Sequence, residues 1–353
     1  MSATVIGVDP HKRSHTAVVL DACEQIASEI RVAASATQVE ELLAWAPSGQ
    51  RVWAIENANG LGCLLAQQLV AKGETVVDVP AALACRARKL SGRSARKTDE
   101  FDARAVAIAA TYNRGLRRVQ LDNVSAVLGL LVERRWQLVA QRQRTICQLH
   151  ALLTDMVAAG AKGHLTSKKA AALLRSIPAG DIVTLERKLL ARELIDDVRR
   201  LDRRIPPARR RITEALVAHG TTLTQIHGIG DVGAATIIGI VDDPTRFPTP
   251  GRFAAFSGTA PLQASSGDVQ RHRLSRRGNR QLNKVLHTAA KTQIRRGGPG
   301  RTYYDRKVAE GKSSMEALRA LKRQLSDVVY RRLLADHQRA VRGGQTRTSQ
   351  KAA

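Results

Sequence analysis

The sequence predicts an α/β domain at the N-terminus, followed by a chain that is mostly helical. Residues 1–79 alternate between short apolar runs of strand length and segments with helical spacing. Residues 122–157 keep a helical spacing of their apolar side chains, without a glycine after Gly129. The C-terminal part has helical patterns near 279–296 and 313–336. These three observations define the predicted fold class.

The first three elements are predicted strands. Residues 4–9 and 15–21 have the pattern of a β-hairpin, and residues 25–32 alternate as a third strand. Thr37 is placed to cap the helix that follows, and Glu40 would complete a capping box. The chain therefore begins with an antiparallel meander that leads into a helix.

Helices and strands alternate after this meander. The order continues with a strand at 51–56, a helix at 61–72, a strand at 75–79 and helices at 81–90 and 98–112. Pro80 ends the last of these strands, because proline cannot donate to a strand ladder. Three strands followed by this alternation form the element order of an RNase H-like fold.

The remainder is predicted to be helical. The helix at 122–157 is longer than a compact core usually needs and indicates a coiled-coil arm, although a long helix folded onto its own domain would have the same pattern. A helical block at 184–201 follows, and Pro206 and Pro207 are predicted to break it. Residues 339–353 are polar without periodicity, which indicates disorder.

The chain carries a large excess of positive charge. Its 353 residues include 57 Lys and Arg against 31 Asp and Glu, so the formal net charge is +26. Hydrophobic residues make up 43% of the chain, which excludes a disordered protein. So large an excess favours a polyanionic partner such as nucleic acid, although a merely solubilising charge is the alternative.

Several other classes of protein are disfavoured. No apolar run approaches the ~20 residues of a membrane span. The N-terminus lacks the regions of a signal peptide. The four cysteines are scattered without a CxxC pair, and the nine histidines show no zinc-site spacing. We therefore expect a cytoplasmic protein with reduced thiols.

Four carboxylates are predicted to converge at one edge of the sheet. Asp9 and Glu56 each end an apolar strand, and the first and fourth strands of an RNase H-like sheet are neighbours. Asp99 and Asp102 are three positions apart and share a helix face. Four carboxylates would repel one another unless a cation lay among them, and oxygen ligands suit Mg²⁺ or Mn²⁺. Each residue alone could equally be a strand-end or helix-start acid.

Two C-terminal motifs suggest contacts with phosphate groups. Residues 226–239 resemble a helix-hairpin-helix, whose glycine turn lets the backbone approach a phosphate, although a plain helical hairpin would look the same. Ser265 and Ser266 precede Gly267, and the run RHRLSRRGNR follows. A serine in such a loop could attack phosphorus if a metal or base activated it.

Taken in order, these motifs resemble a known family. The stretches are GVDPHK, AIEN, KTDEFDA, GIGDVGAATIIG, RFPTPGRFAAFSGTAP, SSG and RRGNRQLNKVL. They resemble the DEDD transposase family of bacterial insertion sequences, the bridge-RNA-guided serine recombinases. The resemblance runs from about residue 4 to residue 335.

The resemblance implies a domain division and a set of site residues. It implies a RuvC-like catalytic domain at 1–120, a helical coiled-coil region at 121–219, a mostly α transposase domain with the serine loop at 220–336, and a disordered basic tail at 337–353. The catalytic and metal-binding acids are then Asp9, Glu56, Asp99 and Asp102. The nucleophile falls on Ser266, with Ser265 as the alternative.

The resemblance also implies an activity and its partners. The family performs RNA-guided DNA cleavage and strand exchange through a phosphoserine DNA intermediate, with Mg²⁺ (or Mn²⁺) as cofactor. The implied partners are donor and target DNA and a structured non-coding guide RNA. The implied assembly is a homo-oligomer, from dimer to tetramer, with sites composed of domains from different subunits. A bacterial, nucleoid-associated location follows, without a membrane.

Basic residues provide the predicted nucleic-acid contacts. They are Arg86, Arg88, Lys89, Arg93, Arg96, Lys97, Arg271, Arg273, Arg276, Arg277 and Arg280, with a further basic run at 203–211. Because a guide RNA would read sequence by pairing, the protein needs mainly phosphate contacts. Aromatic residues are only 3% of the chain, which disfavours RNA-binding modules built on base stacking.

Two other functions remain open at this stage. One is a RuvC-like nuclease or junction resolvase that uses metal and water and forms no covalent intermediate. The other is a nucleic-acid-binding protein without catalysis, for which the four carboxylates would have no joint role.

Overall fold

The computed structural model describes residues 3–90, 98–113, 115–178, 180–263, 272–273 and 278–351. Side chains are described for these residues except 262–263, 272–273 and 343–351. The chain forms two compact units, residues 1–122 and 123–353. Within the described part, no helix is both long and apolar enough to cross a membrane.

The first unit contains a six-stranded mixed sheet. Its strands are β1 (Thr4–Pro10), β2 (Ser14–Leu20), β3 (Ile26–Ala33), β4 (Arg51–Glu56), β5 (Thr75–Val79) and β6 (Arg117–Arg118). They lie in the order β3-β2-β1-β4-β5-β6. The pairs β1–β4 and β4–β5 are parallel, and the pairs β1–β2, β2–β3 and β5–β6 are antiparallel. The first five strands therefore have the order and directions of an RNase H-like sheet, as the sequence predicts.

Helices cover both faces of this sheet. They are α1 (Gln38–Trp45), α2 (Cys63–Ala71), α3 (Ala81–Leu90) and α4 (Asp99–Tyr112). One core joins Ile6 and Trp53 of the sheet to Leu69 of α2. A second core packs Ala54 with Val106 of α4. A sheet buried on both faces explains why its central strands are almost wholly apolar.

The start of α1 differs from the predicted capping box. Thr37 is the N-cap residue, but its side chain makes no capping hydrogen bond to the backbone. Its hydroxyl instead donates to Glu41 Oε1 at 2.6 Å. The expectation for Glu40 was wrong: the Thr37 amide donates to Ser35 Oγ at 3.2 Å, and the Glu40 carboxylate pairs with Lys72 at 3.3 Å.

The second unit is mostly helical. Its helices are α5 (Val124–Thr154), α6 (Ser167–Ser176), α7 (Ile182–His219), α8 (Asp231–Val241), α9 (Pro250–Phe256), α10 (Arg280–Arg296), α11 (Pro299–Ala309) and α12 (Ser314–Lys351). Short strands β7 (Leu262–Gln263) and β8 (His272–Arg273) pair antiparallel. The regions predicted separately as a helical arm and a C-terminal domain thus lie within one compact unit.

Helices α5 and α7 pass through two separate hydrophobic cores. One core contains Leu149 of α5 and Val198 of α7, together with Leu174 of α6. The other contains Leu128 of α5 and Ile212 of α7, and it extends through the C-terminal helices. The two long helices therefore connect these cores. That these helices also form a coiled-coil arm stays a prediction.

Helix α7 does not break at Pro206 and Pro207. It runs without interruption from Ile182 to His219, with both prolines inside it, so the predicted break was wrong. Proline removes one backbone donor and crowds the preceding turn, which costs a helix about 3 kcal/mol. Leu201 and Ile212 on either side of the pair are both buried. Burial on both sides offsets this cost, so tertiary packing decides the outcome here.

The last helix extends into the segment predicted as a disordered tail. Helix α12 continues to Lys351, so residues 337–351 are helical where the sequence indicated disorder. Side chains such as Tyr330 and Leu333 anchor the part of the helix before this segment in the core.

Candidate active site

Asp9 and Glu56 lie at the C-terminal ends of two neighbouring strands, at the same edge of the sheet. In the parallel pair β1–β4, Val8 lies opposite Ile55, so the next residue of each strand is one of these acids. Asp9 is only 8% exposed, and Glu56 is half-buried. The sequence argument that the first and fourth strands bring their terminal carboxylates to one edge is therefore supported by the strand register.

Helix α4 packs unusually close to β1 at Gly7. A Cβ at Gly7 would overlap the carbonyl oxygen of Ala103 and lie 2.7 Å from the amide nitrogen of Ala107. Glycine is thus required for this approach. Asp99 lies one turn before Ala103, so the close packing brings the first turn of α4 towards the end of β1.

Asp9, His11 and Asp99 form a cluster of potential metal ligands. One ligand atom from each lies within 4.8 Å of the others. His11 Nδ1 is 3.8 Å from Asp9 Oδ2, and His11 Nε2 is 3.7 Å from Asp99 Oδ1. Among the described residues, Asp9, His11 and Asp99 are the group of three or more potential ligands whose atoms lie this close together. Neither Glu56 nor Asp102 belongs to the group.

His11 was not among the residues singled out from the sequence. The histidines were searched for pairs at zinc-site spacing, and His11 has no such partner. The available signal was its position two residues after Asp9, at the end of the same strand. The cluster depends on long-range packing of α4, so sequence spacing alone could not reveal it.

Arginines pair with two of the three acids in the first turn of α4, Asp99 and Asp102. Arg31 Nη1 lies 3.3 Å from Asp99 Oδ2. Arg88 of α3 forms an ion pair with Asp102, which is 8% exposed. A buried carboxylate needs such a partner because desolvation penalises its charge. Arg88, predicted as a nucleic-acid contact, is therefore engaged by a site carboxylate in this structure.

The residues present fit a divalent cation. Two carboxylates and an imidazole within ligand distance of one another form a donor set that binds such ions. Carboxylate oxygens are also the donors that Mg²⁺ and Mn²⁺ prefer. The fit rests on Asp9, His11 and Asp99, while Glu56 lies at the same edge and Asp102 is held by Arg88.

Much of the predicted serine and basic region lies outside the described residues. These positions are Ser265, Ser266, Arg93, Arg96, Lys97, Arg271, Arg276 and Arg277, and Arg273 is described only in its backbone. Arg86 and Lys89 on α3 are exposed, as is Arg280 at the start of α10. Their predicted contacts with nucleic acid stay predictions.

The glycine hairpin is built differently from the sequence expectation. A short 3-10 turn, Leu223–Gln225, precedes the turn, and α8 follows it. Gly228 has φ +88°, and a Cβ there would lie 2.8 Å from the carbonyl oxygen of Ala289. Gly228 therefore serves close packing against α10. Gly230, by contrast, has nothing within 4 Å of where a Cβ would be.

Comparison with known proteins places the chain among transposases. The profile described as "Transposase IS116/IS110/IS902 family" matches residues 220–305, and a transposase profile for DEDD enzymes of the IS110 type matches residues 6–158. The "Insertion element IS116 uncharacterized 44.8 kDa protein" of Streptomyces clavuligerus is 29% identical, over 92% of this chain and 93% of its own. The "Insertion element IS110 uncharacterized 43.6 kDa protein" of Streptomyces coelicolor is 32% identical, over 66% and 70%.

Solved structures also match part of the chain. Among them is "T. thermophilus RuvC in complex with Holliday junction substrate", with 18% identity and a TM-score of 0.24. The match covers 31% of this chain and 93% of that one. This likeness is too weak to bear on the fold, which rests on the strand order.

An RNase H-like sheet with carboxylates at one edge, in a chain matched by two transposase profiles, defines the class of DNA transposases, enzymes that cleave DNA and transfer its strands. Within that class, the chain belongs to the IS116/IS110/IS902 family of insertion-element transposases.

Proposed function

We propose that this chain is an insertion-sequence recombinase that cleaves and exchanges DNA strands under the direction of a structured guide RNA. In this proposal Asp9, Glu56, Asp99 and Asp102 hold Mg²⁺ or Mn²⁺, and Ser266 is the nucleophile. The observation that carries the proposal is the approach of Asp9 and Asp99 to within ligand distance, from elements ninety positions apart in the chain. His11 joins them as a further ligand or orienting group.

The site residues would act mainly by positioning. Asp9 is held on a central strand and Asp99 on a helix locked against that strand, so both carboxylates are fixed before substrate binds. A bound divalent ion would supply positive charge to the phosphate that reacts. Arg31 and Arg88 would balance carboxylate charge when no cation is bound.

The covalent step proposed for the serine is a phosphoryl transfer. The Ser266 oxygen forms a bond to phosphorus, and one bond between that phosphorus and a sugar oxygen breaks. The proton lost by the serine hydroxyl ends on the released sugar hydroxyl. Reversal with a hydroxyl from another strand joins new partners and regenerates the serine, so no external energy source is needed.

The guide RNA part of the proposal is supported by charge and composition. A formal net charge of +26 suits two nucleic acids at once, and phosphate contacts give affinity without reading sequence. The low aromatic content leaves few stacking platforms for reading bases. The proposed assembly is a homo-oligomer in which different subunits complete each site.

A strand-exchange assay tests the proposal. The full chain is mixed with Mg²⁺, the guide RNA encoded beside its gene, and donor and target duplexes. We expect exchange products that disappear with Asp9→Ala and with Ser266→Ala, while Ser265→Ala retains most activity. Exchange that continues unchanged in Ser266→Ala and in Ser265→Ala would rule out the serine mechanism.

The same assay separates the metal-only nuclease from the proposed recombinase. The serine mechanism leaves protein bound covalently to DNA, which denaturing electrophoresis detects as a shifted band that protease removes. A metal-only enzyme uses water and yields no such band. Cleavage by the wild-type chain without a protease-sensitive adduct would favour the nuclease.

A further inference from the structure

A cavity of about 600 Å³ lies in the second unit, beside the glycine hairpin. Side chains of α5, α7, α8 and α10 line it, together with Gly228 and Gly230 of the hairpin. Its volume falls within the range of roughly 300–1,000 Å³ typical of ligand sites. All of its lining residues lie within the unit 123–353, so its shape belongs to one compact body.

Three cations line this cavity against one carboxylate. Arg135, Arg209 and Lys284 come from three different helices. Within the described part of the chain, none of the three forms an ion pair. The single lining carboxylate, Asp231, accepts a hydrogen bond from Thr213 Oγ1 at 2.7 Å. The lining therefore carries an excess of positive charge that an anion could neutralise.

Arg135 is held in an unfavourable environment. Its Nε is buried and has no hydrogen-bond partner among the described residues. Burial, and then the positive charge of Arg209, lower the pKa of Arg135. A buried donor without a partner destabilises the state in which it is unpaired. Two guanidiniums brought together without an acid are a common arrangement for binding phosphate, which offers oxygen acceptors to both.

The rest of the lining adds backbone donors and an apolar surface. The first residues of α8 line the cavity, and Gly230 at its N-cap supplies no side-chain cap. The amides of that first turn are therefore available to an acceptor. Val139, Val285 and the ring of Trp136 provide apolar surface. Lys284 Nζ lies 5.1 Å from the centre of that ring.

We infer that this cavity binds an unpaired nucleotide of a nucleic-acid strand, with a phosphate between Arg135 and Arg209 and a base against Trp136. Phosphate chemistry matches the two arginines and the free amides, and a base matches the apolar surface. A duplex backbone presents phosphates outside its stacked bases and would leave the apolar part unfilled. The strand can be DNA or RNA, since both share these groups.

The inference rests on the proposed function only in that the chain acts on nucleic acid. It requires neither the guide RNA nor the serine. It also adds Trp136 and Lys284, which the basic runs of the sequence do not include, and it gives Arg209 of the 203–211 run a specific partner.

Binding of short oligonucleotides to the full-length protein tests the inference. Single-stranded DNA, single-stranded RNA and duplex DNA, each of about ten nucleotides or base pairs, are compared by fluorescence anisotropy across a salt series. We expect Arg135→Gln and Arg209→Gln each to weaken single-strand binding roughly tenfold and to reduce the salt slope by about one. Arg135→Lys should recover part of the affinity.

Two further variants test the space and the aromatic ring of the cavity without removing any of its positive charges. Ala140→Trp fills the cavity without removing a cation, and it should weaken single-strand binding as much as Arg135→Gln does. Trp136→Phe should abolish the quenching of tryptophan fluorescence by the oligonucleotide. Thermal unfolding of each variant shows whether it remains folded.

Arg134→Gln is the matched control. Arg134 is adjacent on α5, is exposed and does not line the cavity. It should bind within twofold of wild type. Equal losses in Arg134→Gln and Arg135→Gln, wild-type binding by Ala140→Trp, or dependence on the cavity for duplex alone would each overturn the inference.

The result is distinguishable from the outcome for the proposed function. Ser266→Ala should keep full cavity-dependent binding, because the serine takes no part in it. Cavity-dependent binding without strand exchange by the wild-type chain would leave the inference standing and contradict the proposed function. Strand exchange with no effect of the cavity variants on single-strand affinity would support the proposed function and contradict the inference.

Discussion

At the scale of single residues, two positions determine the geometry of the site: Gly7, which has no side chain, and His11, which the sequence did not single out. Gly7 permits α4 to touch β1, and this contact positions Asp99 beside Asp9. The sequence identifies Asp9 and Asp99 because each ends or begins an element, a local signal. It does not identify His11, or the pairing of Arg88 with Asp102, because both depend on how α3 and α4 pack.

Gly7→Ala is predicted to loosen this packing. The added methyl would overlap backbone atoms of Ala103 and Ala107, which cannot move without shifting α4. Overpacking of this kind costs about 1–3 kcal/mol. We expect chemical denaturation to show that loss and calorimetry with Mn²⁺ to show weaker binding. Glu29→Ala, at an exposed position of β3, should change neither. Unaltered stability and Mn²⁺ affinity in Gly7→Ala would contradict this account of α4.

At the scale of elements, strands were easier to predict than helices. The five main strands and the hairpin follow from alternation and from turn signals over short distances. The strand order follows from the RNase H-like sequence of elements. Helix limits were less predictable. Pro206 and Pro207 suggest a break, yet α7 continues because buried residues flank them. Helix α11, Pro299–Ala309, was not predicted, since it begins within a Gly-Gly-Pro-Gly sequence that is typical of a loop.

Asp336 of α12 is predicted to stabilise the segment that follows α7. Its carboxylate accepts hydrogen bonds from the Thr222 amide and hydroxyl and from the Thr221 hydroxyl, at 2.7–2.9 Å. We expect Asp336→Ala to cost about 2 kcal/mol of unfolding free energy at pH 7, since these donors lose a charged acceptor. Gln324→Ala, at an exposed position of the same helix, is the control and should stay within about 0.5 kcal/mol of wild type.

The same residue predicts a pH dependence. Burial alone would raise the pKa of Asp336, but the hydrogen bonds from Thr222, Thr221 and Arg339 lower it below the ordinary aspartate value of 3.8. The folded state therefore holds the carboxylate ionised more readily than the unfolded state does. This contribution is complete above pH 3.8 and is lost as the pH falls through the lowered value. The stability gap between wild type and Asp336→Ala should narrow in that acid range, and a constant gap would contradict the assignment.

At the scale of the whole molecule, the chain is divided near residue 122. The resemblance implies a boundary at 120, and the two compact units divide the chain between residues 122 and 123. The further division at 219 is also implied by the resemblance. In the structure, a single core joins Leu128 and Ile212 to the C-terminal helices, so these segments share one unit.

Residues 1–122 are predicted to fold when produced alone. Both cores of the sheet consist entirely of residues from this segment. A domain of this size buries enough surface to be stable by itself. We expect a cooperative, two-state urea transition followed by circular dichroism, and retention of Mn²⁺ binding. A gradual, non-cooperative loss of signal would show that this unit depends on the rest of the chain.

Because α5 and α7 each run without interruption from one core to the other, the number of residues between the cores fixes which side of the helix each buried side chain is on. Each residue added to a helix turns everything beyond it by about 100°. A single insertion in α7 between Val198 and Ile212 would rotate one of these buried side chains out of its core while the other stayed in place. Seven added residues, nearly two turns, would almost restore the phase. Length variation in this part of the chain should therefore come in whole turns, whatever residues provide it.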